Sequence, residues 1–283
     1  MTNQIASGAG TVTLGDMTVN RMGFGAMRLT GRGIWGPPAD PEECRRVLRR
    51  AVELGVNFID TADSYGPHIS EELIAEALHP YPDDLVIATK AGFTRSGPNR
   101  WEPDGRPEHI REAIKGSLRR LRLERIDLCQ VHTPDRKVPY AETVEAFRDL
   151  QHAGLVRHVG VSNVSLEQLR VARGIVDVVS VQNRYNITDR ASEPVLEVCA
   201  RERLAFIPWY PLATGKLVGE AIERVARRRG VTPAQVGLAW LLPRSPVMLP
   251  IPGTSKVSHL DENVAAAEVE LTDEDIRELE AAA

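Results

Sequence analysis

Short runs of apolar and β-branched residues alternate along this chain with longer segments in which apolar positions recur every three or four residues. A short apolar run bounded by polar turns fits a strand covered on both faces, and the three-to-four spacing gives a helix one buried stripe. Eight such runs fall at residues 21–25, 57–61, 85–89, 126–131, 156–161, 178–182, 204–208 and 247–251, each followed by a helical pattern. In residues 106–121, for instance, Ile110, Ile114, Leu118 and Leu121 form the stripe and charged residues fill the other faces. Strand-then-helix repetition predicts a parallel sheet, and eight repeats predict a (β/α)8 TIM barrel. Ahead of them, residues 10–19 read as a short N-terminal β-hairpin turning at Gly15-Asp16.

The helix starts carry capping signals. Asp40-Pro41-Glu42-Glu43 and Thr232-Pro233-Ala234-Gln235 each put a capping oxygen first, proline next, and Glu or Gln where it completes a capping box. Thr272-Asp273-Glu274-Asp275 opens a C-terminal helix in the same way, while the basic clusters at 119–122 and 227–229 read as solvated helix surfaces. No linker or compositional break divides the 283 residues. Barrels of this type run to about 250 residues, so residues 1–283 are expected to form one domain. The doubly wound alternative would carry GxGxxG after its first strand, whereas Gly23-Phe24-Gly25 leads into Ala26-Met27-Arg28.

Composition then removes function classes. A chain 42% hydrophobic and 26% charged is ordinary for a folded protein, and 35 basic against 39 acidic residues gives a net charge of −4. Without a basic excess, nucleic acid is not an expected partner. Cys44, Cys129 and Cys199 are far apart and form no CxxC, so neither a disulfide framework nor a metal site is signalled, which suits a reducing cytoplasm. The N-terminal segment lacks a basic and an apolar region, and no apolar run nears the roughly 20 residues that span a bilayer. The expected partner is a small molecule, with neither membrane nor obligate protein partner in view.

In a parallel barrel the chemistry lies at the carboxyl ends of the strands, and polar residues stand at several of those ends. Asp60 ends the second run and Tyr65 follows in Asp63-Ser64-Tyr65-Gly66; Lys90 ends the third run and His132 the fourth. Singly, each has a plain structural role: a turn cap, a packed ring, a surface lysine, a histidine bonded to backbone. Together they make a tuned phenol. An ammonium beside tyrosine favours phenolate and is expected to lower its pKa of about 10. Asp60 would hold the lysine charged, and a neutral His132 would orient a substrate carbonyl. Such a set protonates a carbonyl oxygen while a nicotinamide cofactor delivers hydride.

The blocks GFGAMRL (23–29), NFIDTADSYG (57–66), VIATKAG (86–92), VHTPD (131–135), VGVSN (159–163), VQNRYN (181–186) and IPGTSKVSHLDEN (251–263) resemble the aldo-keto reductases, in the expected order and over nearly the whole chain. The resemblance implies a (β/α)8 barrel, NADPH with NADH as the alternative, and a catalytic tetrad on Asp60, Tyr65, Lys90 and His132. It implies carboxamide contacts from Ser162, Asn163 and Gln182, and a nicotinamide-ribose segment at Gly25, Ala26 and Met27. It implies a stacking ring at Trp209, where the family usually has tyrosine, and a pyrophosphate loop at Leu212, Thr214, Gly215 and Lys216. Gly253, Thr254, Ser255 and Lys256 match the phosphate-binding turn, His259 the position often held by arginine, and Glu262 and Asn263 the adenine contacts. Many NADPH-preferring members have a basic residue where Gly253 stands.

A narrower likeness, carried by Ile34-Trp35-Gly36-Pro37-Pro38, Tyr65-Gly66-Pro67-His68 and Ile251-Pro252-Gly253-Thr254-Ser255, is to the bacterial pyridoxal reductases, which interconvert pyridoxal and pyridoxine. The substrate wall is then expected at Met27, Trp35, Phe93 and Trp101. The alternatives are a broad-specificity aldehyde or dicarbonyl reductase, a non-catalytic nucleotide-sensing subunit like the potassium-channel β-subunits, and a pyridoxal-phosphate enzyme using Lys90. With barrel, hairpin and last helix filling the length, the mouth is expected to be open.

Overall fold

The computed structural model describes residues 4–212 and 219–282. Seven parallel strands form one curled sheet: β3 (Phe24–Gly25), β4 (Phe58–Asp60), β5 (Val86–Ala91), β8 (Ile126–Val131), β9 (Val156–Ser162), β10 (Val178–Arg184) and β11 (Ala205–Trp209). They neighbour one another in chain order. All six residues of β5 are buried, as a strand covered on both faces requires. The helices that cover it include α1 (Pro41–Glu53), α2 (Ile69–Leu78), α3 (Pro107–Leu121), α4 (Tyr140–His152), α5 (Leu166–Arg173), α6 (Glu193–Glu202), α7 (Glu220–Arg229), α8 (Pro233–Leu241) and α9 (Val257–Ala265). The C-terminal helix α10 (Asp273–Ala281) follows.

The expected eighth strand, residues 247–251, stands in its place but is not a regular strand. Phe206 N donates to Val247 O and Leu249 N to Phe206 O, both at 2.8 Å, on one side. On the other, Gly23 N donates to Pro250 O at 2.9 Å and Gly25 N to Pro252 O at 3.3 Å. Pro250 and Pro252 have no N–H to return, so the segment accepts from β3 without forming a full ladder. The barrel is closed all the same. Arg21 staples this seam from below, donating to Met248 O at 3.0 Å and Ser245 O at 2.6 Å and also to Leu242 O.

The hairpin β1 (Thr11–Leu14) and β2 (Met17–Asn20) turns at Gly15-Asp16 as expected and closes the amino-terminal end of the barrel. Asp16 meets His158 Nε2 at 2.5 Å and Arg157 at 2.7 Å, both at the start of β9. A second hairpin, β6 (Phe93–Gly97) and β7 (Arg100–Pro103), rises from the carboxyl end of β5 and was not foreseen. Its strands are short and half-exposed, so they lack the buried-run signal of the barrel strands.

Two local expectations are corrected. Asp40 caps α1 through Glu43 N, but the Glu43 carboxylate does not return the bond; it accepts from Val257 N at 3.0 Å and pairs with Arg46. The boxes at Thr232/Gln235 and Thr272/Asp275 do close reciprocally. The basic clusters are not merely solvated: Arg120 pairs at 2.7 Å with the fully buried Glu71, and Arg228 and Arg229 both hold the buried Asp275. Helix spacing alone cannot show that a buried carboxylate on a neighbouring helix waits for these guanidinium groups.

Candidate active site

Parallel register carries the polar residues to one rim. Asp60 pairs with Ala88 across β4 and β5, Lys90 with Gln130 across β5 and β8, and Gln182 with Ser162 across β10 and β9. The Lys90 ammonium lies 2.6 Å from Asp60 Oδ2, 2.8 Å from Thr61 O and 3.3 Å from the Tyr65 hydroxyl oxygen. The other Asp60 oxygen accepts from Gln130 Nε2 at 3.1 Å and Gln182 Nε2 at 2.8 Å. Every member is buried and every charge is paired, which is the condition for holding an ion pair in a barrel interior.

Burial sets the protonation states. It pushes the Tyr65 phenol above its ordinary value, with the Lys90 charge the largest influence against it, so the expected lowering is corrected: desolvation outweighs the ammonium. Tyr65 therefore stands protonated at neutral pH, beside a charge that would stabilise a phenolate there. Burial also works against the Lys90 ammonium, but Asp60 and Tyr65 more than offset it and raise Lys90 above the ordinary lysine range. His132 is driven well below its ordinary value, by burial first and then by Lys90 and Arg95, so its ring is neutral as expected. The Ser64 hydroxyl faces His132 Nδ1 at 3.4 Å, which leaves Nε2 for a ligand.

The rim opens into a cavity of about 740 Å³ lined by Gly25, Met27, Asp60, Tyr65, Phe93, Trp101, His132, Ser162, Asn163, Gln182, Trp209, Leu212 and Gly253, among others. Tyr65, Phe93, Trp101 and His132 meet edge to face, with Phe93 4.7 Å from His132 and Trp101 6.3 Å from both Tyr65 and His132. On the opposite wall Asn163, at φ 59°, donates to His132 O at 2.9 Å and accepts from Trp209 Nε1 at 2.9 Å, fixing the indole beside the amides. Gln182 spends its N–H groups on Asp60 and Gln130, which leaves its carbonyl oxygen to accept from an incoming amide. The floor is bare backbone. A Cβ on Gly25 would stand 2.6 Å from Ile251 O, and one on Gly253 2.4 Å from Gly25 O. A flat carboxamide-bearing ring beside Trp209, with its sugar over this floor, fits the donors and the space.

Other expected residues are placed differently. Ala26 is fully buried and is not among the residues lining the cavity; its carbonyl accepts from the Ser70 hydroxyl at 3.3 Å. The Trp35 side chain is not part of the cavity wall; its backbone bridges Gly66 and its ring faces Arg95. Thr214, Gly215 and Lys216 lie outside the described residues. Thr254, Ser255 and Lys256 lead into α9, where Lys256 and His259 are exposed, Asn263 is buried and Glu262 accepts from the Thr232 hydroxyl at 2.6 Å. Gln130 and Arg95 escaped sequence reasoning. Gln130 shares a strand face with His132 two residues on, a signal that period-two alternation carries, whereas nothing local marks Arg95.

The chain matches the profile of the Aldo/keto reductase family over residues 21–283. It is 52% identical over 271 residues to an oxidoreductase of Schizosaccharomyces pombe, covering 95% of this chain and 88% of that one. To the pyridoxine 4-dehydrogenase of Escherichia coli it is 44% identical over 271 residues, covering 93% and 95%. Among solved structures it resembles the glycerol dehydrogenase of Gluconobacter oxydans, with TM-score 0.86, 27% identity and 96% and 94% coverage. A Klebsiella pneumoniae aldo/keto reductase in complex with NADP and acetate superposes with TM-score 0.81, 28% identity and coverage of 96% and 94%.

Proposed function

Because the chain belongs to the aldo/keto reductase family, we propose that it reduces aldehydes to alcohols with NADPH, that Tyr65 is the proton donor, and that a planar aromatic aldehyde of the pyridoxal type is its substrate. The observation that carries this is Lys90, held 2.6 Å from Asp60 and 3.3 Å from the Tyr65 oxygen at the base of the aromatic cavity. The 44% identity to a pyridoxine 4-dehydrogenase supports the substrate, and the NADP complex of a structural neighbour supports the cofactor.

NADPH, when bound, supplies hydride to the carbonyl carbon. The Tyr65 hydroxyl donates its proton to the carbonyl oxygen, and Lys90 stabilises the resulting phenolate across the existing hydrogen bond. Asp60 keeps Lys90 charged and is itself held by Gln130 and Gln182. Neutral His132 donates to the same carbonyl oxygen and fixes its angle. Ser162, Asn163 and Gln182 would grip the carboxamide and Trp209 would stack on the nicotinamide. Gly253 through Lys256, with His259, Glu262 and Asn263, would take the phosphate and adenine end at the start of α9. Glu43 already accepts from the first amide of that helix, so Ser255, Lys256 and His259 would carry the recognition of a 2′-phosphate.

The test is a matrix of NADPH and NADH against pyridoxal, small aromatic aldehydes and α-dicarbonyls, scored by kcat/KM. Preference for NADPH and pyridoxal is expected, and equal values across the panel would leave only a general reductase. Tyr65→Phe should lower kcat at least about a hundredfold, as loss of a general acid does, with NADPH affinity retained. A variant turning over near the wild-type rate would overturn the assignment of Tyr65, and NADPH binding without any turnover by the wild type would favour a nucleotide-sensing subunit.

A further inference from the structure

Arg95, on β6, lies outside the tetrad, yet its guanidinium is almost fully committed. Nε donates to Arg100 O at 2.8 Å, Nη1 to Ser64 O at 2.8 Å, and Nη2 to Gly33 O at 3.1 Å and Gly97 O at 3.4 Å. Its Cζ stands 3.6 Å from the centre of the Trp101 ring and 5.8 Å from that of Trp35. One side chain thus joins three segments: the loop of Gly33 and Trp35, the loop that ends in Tyr65, and the β6–β7 hairpin that carries Trp101.

The segments are unequally held without it. Tyr65 has Lys90 on its hydroxyl, its N–H on Ala62 O at 3.2 Å, its carbonyl taken by Ser70 N at 3.2 Å, and next to it Gly66 O accepting from Gly36 N at 2.5 Å. The hairpin is tied by Asn99 N to Gly33 O and, at its base, by Asp104 N to Gly92 O, both at 2.9 Å. Losing Arg95 therefore frees the Trp101 wall and leaves the proton donor in place. A lysine could supply the charge over the indole, but only a planar fork reaches carbonyls on three segments at once.

We propose that Arg95 is a specificity-determining positioning residue: by seating Trp101 edge-on to Tyr65 and His132, it sets the width of a slot for planar aromatic carbonyl compounds without touching the reacting atoms. This rests on the reading of the cavity as a carbonyl-reducing site. The test compares wild type, Arg95→Met and Arg95→Lys on pyridoxal and on propanal, a small aldehyde that needs no aromatic wall. Binding of the alcohol pyridoxine, read by tryptophan fluorescence, and NADPH affinity are measured alongside.

Arg95→Met should raise KM for pyridoxal and Kd for pyridoxine at least about tenfold, a change of about 1.4 kcal/mol. Arg95→Lys should fall between, while propanal kcat/KM and NADPH affinity stay within about threefold. Amide exchange should accelerate in residues 93–103 and not in 60–66. Equal losses on pyridoxal and propanal would overturn the inference, since Arg95 would then act on the proton donor or on stability at large. If the wild type reduces neither aldehyde, the reductase reading fails by itself, and an unchanged pyridoxine Kd in Arg95→Met would still overturn the role of Arg95.

Discussion

Asp60 and Asp63 are three positions apart and live in opposite surroundings. Asp60 accepts from Lys90, Gln130 and Gln182, so its charge is matched on both oxygens. Asp63 is buried with Oδ1 lacking a hydrogen-bond partner, and burial, followed by the nearby Glu71, pushes its carboxyl up to about 8. It is protonated in the folded chain at neutral pH, whereas an unfolded aspartate ionises near 4. A raised folded pKa means stability that is complete below pH 4 and is lost as pH rises toward 8. Asp63→Asn should therefore raise the melting temperature at pH 8 and leave it nearly unchanged at pH 4. Thermal melts across that range check this, and a gain independent of pH would show that Asp63 does not titrate as described.

At the scale of elements, the two hairpins do different work at opposite ends of the barrel. The amino-terminal one seals the bottom through a close fit: Gly15 has φ +63°, and a Cβ there would stand 2.2 Å from the His158 ring. Gly15→Ala must shift the turn or the ring, and is expected to cost about 1–3 kcal/mol in chemical denaturation while kcat at 25 °C is retained, because the proposed reacting groups lie at the other end. The Asp16 carboxyl is held well below its ordinary range by Arg157 and His158. Its contribution is present above the ordinary aspartate pKa and fades in acid, and it is small because the group is exposed. The upper hairpin closes no core; it carries the Trp101 wall and depends on Arg95 for its seating.

For the molecule as a whole, closure is the critical feature, because an open parallel sheet would expose the edges of β3 and β11. The seam is made by a proline-containing segment with only part of a ladder, and Arg21 donates to three carbonyls beneath it. Burial lowers the Arg21 pKa without displacing it from its charged state, so these are charge-assisted bonds to backbone carbonyls. Arg21→Met removes them together. A loss on the order of 3 kcal/mol is expected in urea denaturation, and a shift under about 0.5 kcal/mol, typical of a surface change, would mean that packing alone closes the ring.

The repeat of strand and helix, the strand-end positions of Asp60, Lys90 and His132, and the placement of Tyr65 were all legible along the chain. Each depends on local periodicity and on where a short apolar run stops. What the sequence could not supply were sums over distant neighbours. The direction of the Tyr65 pKa depends on how completely the barrel excludes water, and so reversed the expectation drawn from Lys90 alone. Arg120 and Arg228 looked like surface charges until the fold set Glu71 and Asp275 against them. Trp35 and Trp101 were equivalent indoles in sequence, and only packing put Trp101 on the cavity and Trp35 behind it. The linear pattern determined the barrel and the strand-end positions of the proposed reacting groups because these follow from nearest-neighbour regularities; tertiary structure decided their protonation, the seam and the aromatic wall of the cavity, because burial and hydrogen-bond partnership exist only between segments that folding brings together.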